Sequence, residues 1–469
     1  MNHCIDQLLN SNWLSYLTRF RKLIVGFSGG LDSTVLLHAL AANPELVTKL
    51  VAVHINHGMS PHAFSWQQHC NQWCQNIGIE FISEVVQFDR SANVEEHARL
   101  ARYAVFSSIL APEDCLILGH HQDDQAETVL LQLFRGAGID GLAAMPPLRC
   151  FGLGMLARPF LVHTHSQLKQ YAMLHRLTWI EDESNLNTHY SRNYLRQQIM
   201  PLLMEKWPGL VGNLARTALH CQEAKNNLST LATYDITSSL IENSNKHTEL
   251  TTNSLSIEPL LNLNLERISN ILRVWLRNNR VSLPTTTTFH RLIHELIFAT
   301  TDAIPEVSWS DILVRRYQKY LYLDRKHLIH LPACSEWSMF PSPLTIETNG
   351  SERRGWKQSS STHNYGLQTL EKAKINLFAT EATHGLVIPP GAKIVVRFRK
   401  GGETFFWHGQ NKQLKKLLQE WGIPPWLRKR IPLLYIEDQL VVIVGYAVSD
   451  LFFNKNSLQA WSLSAHFNW

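Results

Sequence analysis

No uninterrupted apolar run in this 469-residue chain approaches the length of about 18 residues that a membrane-spanning helix needs. The first seven residues, Met-Asn-His-Cys-Ile-Asp-Gln, lack the basic segment and apolar core of a secretion signal. The seven cysteines are an odd number and are scattered, which argues against a disulfide framework and for a reducing compartment. We therefore expect a soluble, cytoplasmic protein without a membrane partner.

Two further absences narrow the class of protein to which the chain can belong. No Cys-x-x-Cys pair occurs, and no segment repeats at a fixed period, which argues against a solenoid. An apolar fraction of 45% and a charged fraction of 18% are typical of globular proteins with sizeable cores. The formal net charge of +5 is compatible with a nucleic-acid partner but does not by itself indicate one. At about 150 residues per domain, the length predicts two to four domains.

Short apolar runs alternate with helical patterns in the first third of the chain. We predict strands at residues 22–27, 50–56, 81–86, 115–120 and 155–160, with a helix over residues 98–110 between the third and fourth. This alternation predicts a parallel, doubly wound α/β sheet. Ligands of such sheets bind beyond the carboxyl ends of the strands.

A Gly-Gly turn follows the first run and leads directly into an apolar helix. Two glycines let the backbone approach a phosphate closely, and the N–H groups at a helix N-terminus attract an anion. An ordinary strand–turn–helix connection with a capping serine has the same composition, so both interpretations stay open from the residues alone. We call residues 28–33 the diglycine loop, and the candidate anion-binding residues are Ser28, Gly29, Gly30, Leu31, Asp32 and Ser33.

A second polar cluster, from His120 and His121 to Asp123, Asp124 and Glu127, follows the fourth run. Helical residues three and four apart are neighbours, so Glu127 can share a face with either aspartate. Acids at a helix N-terminus stabilise the macrodipole, but three acids and two histidines exceed that need. The cluster suits Mg²⁺ or an ammonium group held by carboxylates. Because both motifs follow strand ends, we expect them to face one cleft.

The character of the chain changes beyond residue 182. We predict helices over residues 192–203, 210–241, 265–279 and 289–298, a polar loop over 243–256, and strands over 311–316 and 320–323. Residues 335–384 have weak periodicity. A compact terminal segment follows, with strands at 393–399 and 440–448 and a helix over 411–421.

The diglycine loop resembles the pyrophosphate-binding loop of the PP-loop ATP pyrophosphatase superfamily, whose members adenylate a substrate and release pyrophosphate. The cluster at residues 120–128 resembles the second signature of the tRNA(Ile)-lysidine synthase family within that superfamily. The similarity covers nearly the whole chain. Further matching residues include His54 and His57, Asn93, Glu95, Ala98, Arg99, Arg102 and Tyr103, Arg135 to Gly138, Arg158 to Leu161, Trp179 to Asn185, Arg192 to Arg196, Arg273, Arg315 to Gln318, Arg397 to Gly402, Lys412 to Lys416, and Pro424 to Arg428. Ala143-Ala144 and Glu96-His97 depart from the family pattern without touching a residue assigned to chemistry.

The resemblance implies a reaction. Family members use ATP to adenylate the C2 carbonyl of the wobble cytidine in tRNA(Ile) with a CAU anticodon, and the amine of free L-lysine then displaces AMP to give lysidine. It implies catalytic roles for Asp32, Asp124 and Glu127, ATP at the diglycine loop, and Asp32 as the acid that holds Mg²⁺. Asp123, Asp124 and Glu127 are candidates for lysine or Mg²⁺, and the division among them stays open.

The resemblance also implies an architecture. We expect an adenine nucleotide α-hydrolase-like domain with a doubly wound parallel sheet, a mainly helical middle domain and a small α+β C-terminal domain. The expected bounds are residues 1–215 for the catalytic domain, 216–330 for the helical tRNA- or substrate-binding domain, 331–384 for a linker with some strands, and 385–469 for the C-terminal tRNA-binding domain. Homodimers are common in the family, but the sequence leaves the oligomeric state open.

Two sets of basic residues are candidates for tRNA contacts. Arg192, Arg196 and the neighbouring Asn193 lie on one predicted helix and could contact splayed anticodon bases. Lys412, Lys415 and Lys416 have the spacing of a single helix face, and Arg397, Arg399 and Arg428 add charge among tryptophans, which suits phosphate contacts with stacking. Each set could instead be an ordinary solvated surface.

Three other functions deserve comparison. A PP-loop tRNA thiolase of the 2-thiocytidine type shares both signatures, but the missing Cys-x-x-Cys argues against it. An amidotransferase-linked synthetase would match only at the diglycine loop. A non-catalytic RNA-binding protein with a decayed nucleotide fold does not require Asp32, Asp124 and Glu127 to be intact. We therefore predict an ATP-dependent carbon–nitrogen ligase.

Overall fold

The computed structural model describes residues 8–58, 60–88, 94–240, 254–300, 303–326, 329–350, 374–454 and 460–468. The chain divides into two compact units, of which the first extends to Asn227 and the second starts at Leu228. The division falls inside the helix Leu210–Leu240. The domain bounds expected from the sequence stay predictions. No helix of the described residues combines the length and apolar character needed to cross a membrane.

The first unit is built on a six-stranded sheet with the order β3-β2-β1-β4-β6-β5. All neighbouring strands are parallel except β5, which pairs antiparallel with β6. The strands are β1 (Lys22–Gly26), β2 (Leu50–Asn56), β3 (Glu80–Val85), β4 (Asp114–Ile117), β5 (Leu148–Phe151) and β6 (Gly154–Ala157). The predicted doubly wound parallel sheet is confirmed, and the strand order reverses direction beside β1 and β4.

Both faces of this sheet are covered, as the near-continuous apolar strands require. In β1, Leu23 and Val25 belong to one core, which includes Leu36 and Leu37 of the helix Leu31–Ala41. Ile24 belongs to the other core. The helices of this unit are Ser11–Leu17, Leu31–Ala41, Pro44–Val47, Ala63–Asn76, Val94–Ile109, Gln122–Phe134, Ile139–Leu142, His165–Leu174, Ser191–Tyr194, Met200–Lys206 and Leu210–Leu240, with 3-10 turns at Pro159–Val162 and Glu183–Leu186 and a π-helical stretch at Leu195–Ile199.

The second unit begins with helices packed against a small antiparallel sheet. The strongly amphipathic helix Leu265–Asn278 buries Ile268, Ile271 and Leu272 in this core. The other helical segments are Leu260–Asn262 (3-10), Thr286–Arg291 and Leu292–Ile297 (π), and the strands lie in the order Ser254–Ser256, Tyr320–Arg325, Ile312–Tyr317, Glu306–Trp309. The first of these strands lies within the predicted loop 243–256, of which residues 243–253 lie outside the described residues.

Two five-stranded sheets form most of the rest of the second unit, around a core that includes Trp337, Ile346, Ile375, Val396 and Leu434. One sheet has the order Cys334–Glu336, Ile394–Phe398, Pro432–Ile436, Gln439–Ile443, Ala447–Val448, and the other has the order Leu344–Glu347, Lys374–Ala382, Ala460–Asn468, Gly385–Leu386, Phe453–Asn454. The remaining elements are the pair Ile329–His330 and Asn349–Gly350, the hairpin Thr404–Trp407 and Gln410–Gln413, and the helix Leu414–Glu420.

The linker with some strands that was expected over residues 331–384 stays a prediction, and its described part does contain strands. The strands Cys334–Glu336, Leu344–Glu347 and Lys374–Ala382 belong to the two five-stranded sheets, whereas Asn349–Gly350 belongs to the separate two-stranded pair. Trp337, Ile346 and Ile375 from this segment are part of the core around the two sheets. Residues 351–373, which include the polar run that suggested a linker, lie outside the described residues.

Candidate active site

The diglycine loop connects β1 to the helix Leu31–Ala41, and its backbone requires glycine at position 29. Gly29 has a φ of +83°, in the left-handed region. A Cβ atom there would lie 2.6 Å from Cδ1 of Ile180 and 2.7 Å from Sγ of Cys70. The Gly29 carbonyl also accepts a hydrogen bond from the Ile180 N–H at 2.8 Å. The segment around Ile180 therefore fixes the loop from outside.

Hydrogen bonds within the loop hold its shape. The Ser28 N–H donates to Oγ of Ser33 at 3.2 Å, and that hydroxyl donates to the Gly30 carbonyl at 3.0 Å. The helix begins at Leu31 with Gly30 as its N-cap, so no side chain caps it at that position. Its first N–H groups carry the positive end of the helix dipole and remain suited to an anion.

The second polar cluster lies beside this loop, as the sequence predicted. Gly119 follows β4 and packs so closely that a Cβ atom there would lie 3.0 Å from the Asp32 carbonyl oxygen. His121, two residues later, places Nε2 3.6 Å from Oδ2 of Asp32. The predicted nucleotide-binding and acidic motifs therefore lie side by side at the carboxyl ends of β1 and β4, where a common cleft was expected.

His121 links the acids of the two motifs. Its ring lies 3.4 Å from Oδ2 of Asp123 and 3.5 Å from Oδ2 of Asp124, in addition to the contact with Asp32. Burial lowers the pKa of His121, but these three carboxylates outweigh burial and raise its pKa to about 10. The imidazole is therefore a cation at neutral pH. In the sequence, His121 belongs to the polar cluster, but nothing there indicates its role.

Asp124 and Glu127 are buried in the helix Gln122–Phe134, which we call the acid helix, and both are bound by arginines. Asp124 Oδ1 accepts from Nη2 of Arg192 at 2.9 Å and from Nη2 of Arg196 at 3.0 Å. Glu127, whose side chain is 2% exposed, accepts from Nε of Arg192 at 2.8 Å and from Nε of Arg196 at 2.6 Å. Burial raises the pKa of Asp124, but His121 and the arginines outweigh it and hold that pKa well below its usual range.

These contacts change the interpretation of the two arginines. In the sequence, Arg192 and Arg196 are candidates for tRNA contacts, and the acids are separate candidates for lysine or Mg²⁺. The structure joins them in one network, since both arginines lie one turn apart on the chain that follows Tyr190. Asn193 instead donates to the Asn187 carbonyl at 3.0 Å. Arg196, with its side chain 44% exposed, is the more accessible of the two arginines.

Asp32 and Asp123 differ from the paired acids. The Asp32 Oδ1 atom is buried without a hydrogen-bond partner among the described residues. Asp123 accepts from the His165 N–H at 2.8 Å. Within the described ranges, no three His, Cys, Asp or Glu side chains are grouped so that they alone could hold a metal ion. A cation at this site would therefore need further oxygen ligands, such as water or the phosphates of a bound nucleotide.

The predicted tRNA contacts of the second unit are only partly available. Arg428 is buried and donates to the Ile423 carbonyl at 2.8 Å and to the Tyr317 hydroxyl at 3.2 Å, so little of its side chain is exposed, and its role as a tRNA contact stays a prediction. Lys412 lies on the hairpin strand Gln410–Gln413, not on the predicted helix, whereas Lys415 and Lys416 are exposed on the helix Leu414–Glu420.

Two further arginines of that prediction already have acidic neighbours. Arg397 forms an ion pair with Asp438 and lies over the ring of Tyr435 at 4.7 Å. Nε of Arg399 lies 3.6 Å from Oε2 of Glu403. Lys415 and Lys416 are therefore the most accessible cations of the predicted set.

The parallel sheet, the glycine loop at the end of β1 and the adjoining acids have the arrangement of a PP-loop enzyme that uses ATP, and a family model agrees. A PP-loop domain model matches residues 1–203, a TilS substrate binding domain model matches residues 255–322, and a TilS substrate C-terminal domain model matches residues 394–467. These matches extend over both units of the structure.

Full-length relatives identify the family. The tRNA(Ile)-lysidine synthase of Legionella pneumophila (strain Paris) is 55% identical over 97% of this chain and 98% of its own length. That of Coxiella burnetii (strain RSA 493 / Nine Mile phase I) is 37% identical over 96% of this chain and 94% of its own. The chain belongs to the tRNA(Ile)-lysidine synthase family and is an ATP-dependent ligase, which confirms the resemblance found in the sequence.

A solved structure has a weaker likeness. The U34-tRNA thiolase NcsA from Methanococcus maripaludis with its [4Fe-4S] cluster is 19% identical, with a TM-score of 0.40 over 47% of this chain and 77% of that chain. A likeness of this size supports no conclusion about function.

Substituting Gly29 tests whether the loop needs its conformation. We expect Gly29→Ala to lower stability by about 2 kcal/mol or more and to weaken ATP binding, because backbone strain adds to the clash with Ile180 and Cys70. Gly78→Ala is the matched control, since Gly78 has a φ of +70° but nothing within 4 Å of its Cβ position. Urea unfolding and ATP titration measure both effects. Equal losses for the two variants would contradict the packing role of Gly29.

Proposed function

We propose that this enzyme joins L-lysine to C2 of the wobble cytidine in tRNA(Ile) with a CAU anticodon, through an adenylated cytidine. The product lysidine would change the codon read from AUG to AUA and the amino-acid identity from methionine to isoleucine. The observation that carries the proposal is the shared cleft, in which His121 of the acidic motif lies 3.6 Å from Asp32 of the diglycine loop. Family membership supports the choice of substrates.

The proposed reaction has two steps, and in each step one bond forms and one breaks. In the first, the C2 oxygen of cytidine attacks the α-phosphorus of ATP, and pyrophosphate leaves. In the second, the lysine ε-amine attacks C2, the C2–oxygen bond breaks, and AMP leaves with the original C2 oxygen. The amine loses its protons to solvent or to a base, and charge on the departing phosphates must be neutralised in both steps.

The diglycine loop is suited to the first step. Gly29 and Gly30 let the backbone approach the phosphates, and the N-terminus of the helix Leu31–Ala41 presents N–H groups to them. The His121 imidazolium would add positive charge beside the same phosphates. Mg²⁺ fits at Asp32, because Oδ1 has no partner among the described residues and a single carboxylate with phosphate oxygens is a usual Mg²⁺ site. Bound there, Mg²⁺ would neutralise charge on the departing pyrophosphate.

The acid helix is suited to the second step. An ammonium group of lysine needs carboxylates, and Asp124 with Glu127 supplies two within one turn. Since Arg192 and Arg196 bind both acids in this structure, lysine would have to share them with the arginines or displace the more exposed Arg196. We assign Asp124 and Glu127 to lysine and Asp32 to Mg²⁺ on this basis, with Asp123 positioning His121.

One assay distinguishes this reaction from its alternatives. The purified chain is incubated with ATP and tRNA(Ile) transcript, and AMP is measured with free lysine, a sulfur donor or ammonia. Of these three compounds, we expect only free lysine to support stoichiometric AMP formation from ATP and tRNA(Ile). AMP formation that needs the sulfur donor would overturn the proposal in favour of a thiolase. A homodimer and a cytoplasmic location stay predictions from the sequence.

The exposed lysines of the second unit give a separate test of tRNA binding. We expect Lys415→Glu with Lys416→Glu to weaken tRNA(Ile) binding and to reduce the slope of log affinity against log salt by about one per lost phosphate contact. The control is Lys319→Glu with Lys393→Glu, which makes the same charge change at exposed lysines paired with Glu258 and Glu336. An unchanged salt slope in the test variant would count against this surface.

A further inference from the structure

Three guanidinium groups surround one tyrosine of the first unit. The guanidinium carbons of Arg99, Arg102 and Arg149 lie 5.2, 5.8 and 5.9 Å from the centre of the Tyr103 ring. Arg99 and Arg102 come from the helix Val94–Ile109, and Arg149 comes from the edge strand β5. We call these three arginines, together with Arg158, the arginine cluster.

Arg158 joins the cluster to the active site. Its side chain is buried and donates from Nη1 to the Pro146 carbonyl at 2.9 Å and from Nε to Nδ1 of His120 at 3.3 Å. His120 immediately precedes His121, which faces Asp32. The cluster therefore begins at the wall of the cleft and extends outward, since Arg99 and Arg149 are exposed.

The part of the chain that the structure describes gives this cluster no acidic partner. No Asp or Glu among the described residues forms an ion pair with any of its four arginines, although the structure describes many other pairs, such as Arg21 with Asp114. Burial lowers the pKa of Arg102 and of Arg158, and the Arg102 Nε atom is buried without a hydrogen-bond partner among the described residues. Grouping cations in a partly buried place costs free energy unless an anion compensates them.

We propose that the arginine cluster binds the phosphodiester groups of the RNA strand next to the target cytidine, an inference that rests on the proposed function. A ligand with one carboxylate would not need four guanidinium groups, because a single arginine can bind a carboxylate with two hydrogen bonds. The exposed Arg99 and Arg149, the half-buried Arg102 and the buried Arg158 suit an extended polyanion that approaches the cleft from the surface. A base can reach an enclosed site only if its strand is held open, so phosphate contacts at the rim would keep the cytidine extruded.

The test is a double-mutant cycle between protein and RNA. The tRNA(Ile) carries neutral methylphosphonate linkages at the two phosphates that flank the wobble cytidine, and its affinity is measured for the full chain and for Arg99→Gln with Arg149→Gln. We expect the neutral linkages to weaken binding to the unmodified protein about tenfold, and to weaken binding to the variant at most about twofold. Arg99→Lys with Arg149→Lys retains the charge and should keep most of the affinity.

Arg19→Gln is the control variant, since Arg19 also lies over a tyrosine ring, 5.9 Å from the centre of Tyr16. It should respond to the neutral linkages as the unmodified protein does.

Additive losses in the cycle would overturn the inference, and so would an Arg99/Arg149 effect confined to the KM of lysine or ATP. Failure of the proposed function is distinguishable, because it would appear as tRNA binding by the unmodified protein without lysine transfer.

Discussion

Asp32→Asn is expected to slow pyrophosphate release by about 10²-fold or more while leaving the affinity for tRNA(Ile) unchanged. Asn keeps the size of the side chain but removes the charge that would hold Mg²⁺ against the phosphates and that faces His121 at 3.6 Å. The RNA contacts that we propose lie elsewhere, so binding should survive. Pyrophosphate release in a single turnover and a filter-binding titration of tRNA(Ile) measure the two quantities.

Asp140→Asn is a closely matched control for this variant. Asp140 is the second residue of the helix Ile139–Leu142, as Asp32 is of the helix Leu31–Ala41, so both changes remove one charge from a helix N-terminus. We expect Asp140→Asn to leave pyrophosphate release within about twofold of the unmodified rate. Release retained by Asp32→Asn, or lost equally by both variants, would remove Asp32 from the chemistry.

Glu127→Ala is expected to affect both stability and lysine transfer. Glu127 is buried, and its removal leaves Arg192 and Arg196 with Asp124 as their one remaining carboxylate in the network. Breaking a buried ion pair costs about 3–5 kcal/mol, and partial exposure of the arginines reduces this to about 2–3 kcal/mol. Urea unfolding measures the loss. The rate of adenylation should fall less than the rate of lysine transfer, because ATP binds at the other motif.

A second substitution separates lost charge from lost packing. Glu127→Ala combined with Arg196→Ala removes one of the cations that the single change leaves uncompensated, so it should be more stable than the sum of the two single losses predicts. Glu295→Ala, which breaks an exposed pair with Arg291, should leave the unfolding midpoint unchanged. Additive losses at Glu127 and Arg196 would contradict the network seen in the structure.

The sequence predicted the parts of the fold that have strong local signals. The buried strands β1, β2 and β4 are apolar runs, and β2 has the predicted bounds, Leu50–Asn56. The edge strand β5 (Leu148–Phe151) was missed because its half-exposed, mixed residues resemble a loop. Lys412 was placed on a helix because its spacing to Lys415 and Lys416 fits one turn, whereas strand pairing with Phe405 holds it in a hairpin.

The candidate site could be predicted as two motifs but not as a network. Consecutive residues of one chain segment carry each motif, so their positions at strand ends follow from the sheet. The partners of Asp124 are 68 and 72 residues away in the chain, and no local pattern indicates that Arg192 and Arg196 turn inward. The burial of Arg428 could not be predicted either, because a run of basic residues is typical of an exposed surface. Its contact with Tyr317, 111 residues away in the chain, is set by the fold.

The central claim is that one cleft activates a cytidine with ATP and delivers lysine to it. Mass spectrometry of the wobble nucleoside, isolated from tRNA(Ile) after reaction with the purified chain, ATP, Mg²⁺ and lysine, tests it most directly. The account predicts cytidine whose mass has increased by one lysine less one water, and no such product when lysine is omitted. Unmodified cytidine, or a sulfur-containing base, in a reaction that consumes ATP would contradict the account.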